Sequence, residues 1–171
     1  MNNNLQKTEK RLNSLRKGVS ALIMNKNQQL LLVNLKSFEE KFYAVPGGGT
    51  EEGETLENAA YREIKEELDI SRKSLNFVGS CKDPIRLLFK TKKLIRNGIE
   101  YNGMERYFFG FIFVGNDDEI VLQSEEIRSY KWVEFTDLKY YLLFDNQLEE
   151  TTKKIIELFP ALKQDTITPH E

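Results

Sequence analysis

A glycine-rich loop that opens directly onto a long stretch of helix-forming residues most constrains the fold of this 171-residue chain. Pro46 and the four glycines of residues 47–53 favour a loop whose backbone passes close to a ligand or to the following helix. From Leu56 to Leu68 neither glycine nor proline occurs and strong helix formers dominate, which predicts a helix. Apolar residues repeat every four positions along it, so we expect a buried stripe of Ala60, Ile64 and Leu68.

Apolar runs on both sides of this helix predict strands that are separated by polar and glycine-containing turns. Residues 19–24 and 30–35 flank a polar tetrapeptide and are expected to form a hairpin, and a third strand is expected from Phe42 to Val45. Later strands are expected at 75–78, 85–89, 106–114 and 130–135. Closing helical segments are expected at 136–143 and 147–162, the second broken at Pro160. The pattern predicts a mixed α/β fold, with helices packed on a core built of strands.

Length and composition fit a single domain. With 171 residues, 40% of them hydrophobic, the chain can bury a core without disulfides. We expect a basic N-terminal arm or helix over residues 1–17, one domain over residues 18–163 and a polar tail over residues 164–171. No apolar run approaches the roughly 20 residues of a membrane span. The polar N-terminus lacks the apolar segment of a secretory signal, so we expect a cytoplasmic protein.

Two scarce residues exclude several kinds of enzyme. Cys81 is the single cysteine, so the chain forms no internal disulfide and no cysteine-rich zinc site. His170 is the single histidine and stands next to the end of the polar tail, where a catalytic triad or a histidine zinc site would lack a rigid scaffold. If the chain is an enzyme, its acid–base and metal-binding groups are therefore carboxylates.

Carboxylates are concentrated in the loop and the helix. Residues 51–69 contain eight acidic against two basic side chains, and Glu63, Glu66 and Glu67 lie within an arc of about 100° on the helix. A divalent cation would relieve their repulsion, and oxygen ligands without histidine or cysteine favour Mg²⁺ or Mn²⁺, completed by substrate phosphates. Arg62 can orient a carboxylate through a bidentate pair. The same pattern also fits a solvated acidic helix face.

Common nucleotide-binding loops do not match. Glu54-Thr55 stands where a P-loop requires Lys-Ser/Thr, and residues 47–53 do not give the G-x-G-x-x-G spacing. The loop and helix together instead resemble the Nudix box, Gly-x5-Glu-x7-Arg-Glu-U-x-Glu-Glu-x-Gly-U, in which U is aliphatic. Residues 48–70 match eight of its nine specified positions, with Asp69 in place of the last glycine. Asp tolerates the left-handed conformation expected there better than most non-glycine residues.

The resemblance implies an α/β/α sandwich with a mixed central sheet. It also implies hydrolysis of a nucleoside diphosphate linked to another group, with Mg²⁺ or Mn²⁺ as the cofactor. On the family pattern Glu63 and Glu67 are the principal metal ligands, and Glu66 is a ligand or the general base. Arg62 and Glu54 form the supporting pair that orients the glutamates.

Candidate residues outside the helix come from the glycine loop, a later loop and a basic segment. Glu126 lies where relatives that act on dinucleoside polyphosphates or RNA 5′ ends also carry a glutamate, and we expect an additional base or ligand there. Residues 82–106 contain seven basic against three acidic side chains, which suits phosphates or a nucleic-acid backbone. The alternative for this segment is a solvated hairpin whose lysines protect a sheet edge. The expected substrate contacts are Gly48, Gly49, Lys92, Lys93 and Arg106.

The substrate class stays open within the family. Segments after the box are similar to the dinucleoside polyphosphate and RNA pyrophosphohydrolase branch, which makes an RNA 5′ end a candidate substrate. Two departures are Gly47, where that branch has glutamine, and Leu87, where it has tyrosine. Pro84 lies near a proline associated with ADP-ribose hydrolysis, so ADP-ribose and nucleotide sugars remain alternatives. A nucleotide-binding module without turnover is the other class, although such modules commonly lose box glutamates, and all four are present here.

Overall fold

The computed structural model describes residues 5–6, 14–90, 93–123 and 125–165. The described strands are β1 (Leu15–Met24), β2 (Leu30–Leu35), β3 (Gly47–Gly49), β4 (Leu75–Ser80), β5 (Ile85–Leu88), β6 (Leu94–Arg96), β7 (Ile99–Tyr101), β8 (Gly103–Phe113) and β9 (Ile127–Val133). Seven of them form one mixed sheet in the order β4–β8–β1–β2–β9, with β3 paired to β1 and β5 paired to β8. β6 and β7 form a separate antiparallel hairpin.

Helices cover both faces of the sheet. α1 (Leu56–Leu68) buries its expected stripe in a core shared with alternate residues of β1, β2 and β8, among them Val19 and Phe111. On the other face, α2 (Gln147–Leu158) packs Ile155 into a second core with Leu22, and the short α3 (Leu162–Asp165) follows. The α/β/α sandwich with a mixed central sheet is therefore confirmed. No helix in the described part of the chain is long and apolar enough to cross a membrane.

The longest pairing in the sheet joins β1 to β8 in parallel, from Leu15 opposite Gly103 to Met24 opposite Ile112. β1 also forms the expected antiparallel hairpin with β2. Because β1 begins at Leu15, the last three residues of the expected N-terminal arm belong to the sheet. Residues 7–13 and 166–171 lie outside the described residues, so the arm and the tail stay predictions.

One expectation from the sequence is wrong. The third strand does not run from Phe42 to Val45, where only an isolated bridge joins Ala44 to Val33. The strand is formed by the glycines of β3, because backbone without side chains can lie directly against β1, where a Cβ on Gly47 would come within 2.0 Å of the Val19 carbonyl oxygen. The first closing helical segment is a 3-10 helix over Phe135–Tyr140. The second is divided at Pro160, as expected, into α2, which ends at Leu158, and α3, which begins at Leu162.

Candidate functional site

Helix α1 carries most of the candidate site, and both of its ends are capped by side chains or backbone of the box. The Thr55 hydroxyl accepts a hydrogen bond from the Asn58 amide at 3.2 Å, which satisfies a free N–H of the first turn. Asp69 ends the helix in the left-handed conformation, with φ 58° and ψ 15°, and its amide donates to the Lys65 carbonyl at 3.0 Å. Asp69 therefore takes the conformation expected of the glycine that it replaces.

Arg62 organises the carboxylates through five hydrogen bonds. Its Nε and Nη2 hold Glu54 in a bidentate pair at 2.8 and 3.0 Å, and Nη2 also donates to the Gly49 carbonyl at 2.8 Å. Nη1 donates to Glu63 at 2.9 Å and to Glu66 at 3.1 Å. The Arg62 guanidinium holds the pKa of the Glu54 carboxyl below its usual range. All five N–H donors of the arginine are thus used, and the loop, the helix and two box glutamates are joined through one side chain.

Glu67 is the buried member of the cluster, with 7% of its surface exposed. One carboxylate oxygen accepts a hydrogen bond from the Gly47 amide at 3.2 Å. Burial and the neighbouring charge of Glu63 raise the pKa of Glu67 to about 8, although the Gly47 amide and the charge of Arg106 act in the opposite direction. Burial also raises the pKa of Glu63, against the effect of its ion pair with Arg62. The buried Glu67 and the half-buried Glu63 are therefore neighbouring carboxylates whose ionised forms are both disfavoured by burial.

The glycines of β3 lie against charged side chains. A Cβ on Gly48 would come within 2.5 Å of the Glu63 carboxylate, and a Cβ on Gly49 would come within 2.0 Å of Nη2 of Arg16. Any side chain at either position would displace a charged group of the site. The sequence prediction that this backbone must pass close to the helix is confirmed.

The three box glutamates of α1 do not converge as the helical spacing suggested. No group of three Asp, Glu, His or Cys side chains stands at metal-binding distance within the described ranges. Glu66 points to Arg62 with 56% of its side chain exposed, whereas Glu67 points to the amide of Gly47. The donors nevertheless suit a hard divalent cation, since Glu63 and Glu67 offer oxygen ligands and unbalanced negative charge.

Glu126 belongs to the neighbourhood of Glu67. It precedes β9, and its backbone carbonyl accepts a hydrogen bond from the Lys36 amide at 2.7 Å, which anchors the loop to the end of β2. Its charge acts on Glu67, where it contributes to the raised pKa. Glu126 thus lies within electrostatic reach of Glu67, and its role as an additional base or ligand stays a prediction.

The three basic candidates have different surroundings. Arg106 lies on β8, close enough to Glu67 and Glu63 for their charges to support its protonated form, although burial lowers its pKa. Its Nε is buried and has no hydrogen-bond partner among the residues described. Lys93 forms an ion pair with Glu100 across the β6–β7 hairpin, as in the alternative of a solvated hairpin. Lys92 lies outside the described residues.

Sequence reasoning missed two groups of the site. The amide of Gly47 holds Glu67, and the guanidinium of Arg16 covers Gly49. Arg16 falls within the expected basic arm, because lysines and arginines alternate there with Leu12 and Leu15. The sequence does contain an indication of this role. Arg16 lies only three residues before the strand expected to begin at Val19, so a short extension of that strand includes it.

Comparison with known proteins agrees with this geometry. The family model described as NUDIX domain matches residues 14–159, so the chain belongs to the Nudix family. It is a Nudix hydrolase, a class whose members generally use divalent metal ions.

Named relatives are RNA pyrophosphohydrolases. The protein from Pelagibacter ubique is 28% identical over 158 residues, which cover 83% of this chain and 94% of the relative. The protein from Bartonella bacilliformis is 30% identical over 133 residues, which cover 69% of this chain and 76% of the relative.

Solved structures share the fold at lower identity. The E. coli dihydroneopterin triphosphate pyrophosphohydrolase has a TM-score of 0.64 at 19% identity and covers 83% of this chain and 97% of its own. A C. elegans Ap4A hydrolase has a TM-score of 0.62 at 20% identity and covers 86% of this chain and 98% of its own. At these identities the likeness shows the fold.

Proposed function

We propose that this Nudix hydrolase cleaves a phosphoanhydride bond in a polyphosphorylated nucleotide, either at an RNA 5′ end or in a dinucleoside polyphosphate, with Mg²⁺ as the cofactor. The observation that carries the proposal is the buried carboxylate of Glu67, next to the half-buried Glu63 and within the electrostatic reach of Arg106, whose Nε has no hydrogen-bond partner among the described residues. A site that combines neighbouring carboxylates with a partly unsatisfied guanidinium suits a metal-bound phosphate substrate. Relatives named RNA pyrophosphohydrolase support the RNA 5′ end.

Each box residue receives a role from its contacts. Glu63 and Glu67 would hold the divalent ion, with Glu66 as a further ligand or as the base. When bound, such an ion polarises a phosphoryl oxygen and lowers the pKa of a water molecule. Arg62 holds Glu63 and Glu66 through hydrogen bonds from Nη1, and the bidentate pair with Glu54 orients the guanidinium. All N–H donors of Arg62 are used within the protein, so its role is to position these carboxylates.

A carboxylate must accept the proton of the attacking water. Glu66 and Glu126 are the candidates, because Glu66 is exposed toward solvent and Glu126 acts on the same cluster without being part of α1. Mn²⁺ is expected to replace Mg²⁺, since both are hard cations that accept carboxylate and phosphate oxygens.

The substrate is expected to lie against the backbone of Gly48 and Gly49. Arg106 would contact its phosphates, and Lys92 and Lys93 would contact longer polyanions. The pairing of Lys93 with Glu100 favours a smaller contribution from that lysine. The cytoplasm, where RNA and free nucleotides are found, remains the expected compartment.

A hydrolysis screen tests the proposal. Purified protein with Mg²⁺ or Mn²⁺ is offered 5′-triphosphate RNA, diadenosine tetraphosphate, nucleoside triphosphates, ADP-ribose and a nucleotide sugar, and the products are separated by chromatography. We expect turnover of the first two and none by Glu67→Gln, the matched inactive variant. Turnover of ADP-ribose or the sugar nucleotide alone would contradict the substrate class. Binding of substrates without turnover would support the nucleotide-binding module instead.

A further inference from the structure

A β-bulge at the start of β9 lies next to Glu126. The pairing of β9 with β2 shifts by one residue between Asn34 and Leu35, which leaves Arg128 as the extra residue. Because side chains alternate between the two faces of a strand, the extra residue turns Ile127 toward the core under α1, where it is buried. The bulge therefore sets the direction in which the chain that carries Glu126 enters the sheet.

Asn34 and Arg128 bind each other and hold the bulge against the loop that follows β2. Asn34 is buried, with 1% of its surface exposed, and its side-chain nitrogen donates to three carbonyls of residues 39–42 at 2.6 to 3.4 Å. Its oxygen accepts a hydrogen bond from Nη1 of Arg128. Nη2 of Arg128 donates to the carbonyls of Lys36 and Phe38 at 3.4 and 3.2 Å. Five hydrogen bonds of this pair, the Asn34–Arg128 clamp, thus end on backbone carbonyls.

The clamp reaches Glu126 through the backbone of Lys36. The Lys36 amide donates to the Glu126 carbonyl at 2.7 Å, and the Lys36 carbonyl accepts from Arg128. Earlier in the same loop, the Gln123 amide donates to the backbone carbonyl of Glu67 at 3.4 Å. Gln123 is therefore bound to α1, and Glu126 is bound to the clamp.

Glu126 requires such support because its neighbours are acidic. Its negative charge raises the pKa of Glu67, after the larger effects of burial and of Glu63, so the two carboxylates repel each other. The Glu126 side chain is exposed, and water can reach it. On an unsupported loop the repulsion would move this side chain away from Glu67 into solvent. The hydrogen bonds of its backbone oppose that movement.

We propose that Asn34 and Arg128 are positioning residues, which hold the Glu126 carboxylate at the cluster in the place that turnover requires. The inference rests on the function proposed above and selects Glu126 as the general base. Glu66, the other candidate, is engaged in an ion pair with Arg62, whereas Glu126 has a support of its own. The clamp donors are directed at the protein backbone, so loss of Arg128 should lower kcat and leave KM nearly unchanged.

A double-mutant cycle on kcat for 5′-triphosphate RNA tests this role. Arg128→Gln should lower kcat about tenfold or more when Glu126 is present, and by about twofold at most in the Glu126→Gln background, because the clamp acts through Glu126. KM should change by about twofold at most. Arg128→Lys, which can bind only part of the clamp, should have an intermediate kcat.

Arg72→Gln is the matched control for these kinetics. Arg72 also donates to an asparagine side chain, that of Asn58, but on the outer side of α1. Its kcat should stay within about twofold of wild type.

Hydrogen exchange followed by NMR in EDTA tests the clamp without metal and without catalysis. The Lys36 amide, which is bound to the Glu126 carbonyl, should exchange about tenfold faster in Arg128→Gln than in wild type. The Ala21 amide, which is bound to the Pro46 carbonyl in the sheet, should exchange at the same rate in both proteins, as expected if the fold is intact.

Additive effects of Arg128→Gln and Glu126→Gln on kcat would overturn the positioning role, as would a wild-type kcat in Glu126→Gln. Unchanged exchange at Lys36 would overturn the clamp, whatever the enzyme hydrolyses. If exchange at Lys36 rises while wild type hydrolyses no nucleotide, the proposed function fails, whereas the placement of Glu126 by the clamp is supported.

Discussion

Arg62 and Glu54 form a bidentate ion pair, with Nε–Oε1 and Nη2–Oε2 distances of 2.8 and 3.0 Å. Glu54 ends the glycine loop and Arg62 lies two turns into α1, so the pair fixes the loop to the helix. Glu54 also accepts a hydrogen bond from the Glu51 amide at 3.0 Å, which closes the turn before the helix. The geometry of the loop thus depends on a planar guanidinium and not on positive charge alone.

We therefore expect Arg62→Lys to impair both stability and activity at unchanged net charge. Lysine cannot make the two parallel bonds to Glu54 and also reach Gly49, Glu63 and Glu66. We expect the free energy of unfolding to fall by about 1–3 kcal/mol in urea denaturation, and kcat to fall about tenfold or more. Arg72→Lys is the matched control, because Arg72 contacts Asn58 and Tyr61 on the outer side of α1. Equal kcat values for the two variants would contradict the role of Arg62.

Glu67→Gln is expected to remove turnover while the fold remains. The amide keeps the volume of the side chain and removes the charge needed by a metal ligand. Glu66→Gln and Glu126→Gln, assayed in the same way, test the two candidates for the general base. The variant that lacks the base should lose most of its activity, and the other should retain more activity than Glu67→Gln. Calorimetric titration with Mn²⁺ should show weaker binding in Glu67→Gln than in wild type. Unchanged binding and turnover would refute the assignment of Glu67.

The stability of the metal-free protein should depend on pH through Glu67. Its pKa of about 8 lies above the value of about 4.3 for an unfolded glutamate, so the folded state binds the proton more tightly. The free energy of unfolding contributed by this group is therefore full below about pH 4, falls as the pH rises toward 8, and levels off above it. The steepest slope is about 1.4 kcal/mol per pH unit.

Urea denaturation in EDTA between pH 5 and pH 9 measures this dependence. The difference between wild type and Glu67→Gln isolates Glu67 from the other titrating groups, and Glu66→Gln is the control that should follow wild type. A wild-type curve parallel to that of Glu67→Gln would show that Glu67 has an ordinary pKa in the folded protein.

Variants at position 69 test the effect of having Asp in place of the last glycine of the box. Its left-handed conformation costs a non-glycine residue about 1 kcal/mol, less for Asp than for Ala. The exposed ion pair between Asp69 and Lys65 stabilises the folded state by at most about 1 kcal/mol. Asp69→Ala should therefore lower the free energy of unfolding by about 1 kcal/mol, whereas Asp69→Gly should be as stable as wild type or more so. Activity should change less than twofold in both variants. Equal free energies of unfolding for the two variants would contradict the claim that the left-handed backbone at position 69 is strained.

Cys81 should be inert in the folded protein. Burial, followed by the charge of Glu157, raises the pKa of its thiol to about 12, so at pH 8 roughly one thiol in 10⁴ is a thiolate. We expect negligible labelling by a thiol reagent at pH 8 in native buffer and complete labelling in guanidinium chloride. Rapid labelling of native protein would show that the strand end at Cys81 opens.

The sequence predicted α1 to the residue, whereas it did not predict β3. The helix is encoded locally, by Thr55 before it, Asp69 after it and a buried stripe between them. Three consecutive glycines carry no side-chain alternation, so the pairing of β3 with β1 follows from the tertiary structure. A tertiary pairing also extends β1 back to Leu15, since residues 15–18 lack the pattern of a strand but lie opposite β8.

The carboxylates show a second limit of sequence reasoning. Helical periodicity gives the direction in which Cβ leaves the backbone and not the position of the carboxylate at the end of a flexible side chain. Glu66 and Glu67 are adjacent in sequence, yet Arg62 binds the first and the Gly47 amide binds the second. The residue types of the candidate site were predictable, and their arrangement depended on partners elsewhere in the chain.

The parallel ladder between β1 and β8 connects residues that lie far apart in the chain. Such a pairing closes a long loop, so it forms late in folding and is lost with the whole sheet. Arg16 and Arg106 are neighbours only while this ladder exists. A chain that has formed α1 without this ladder has its helical glutamates in place, yet it lacks Arg106 beside Glu63 and Glu67.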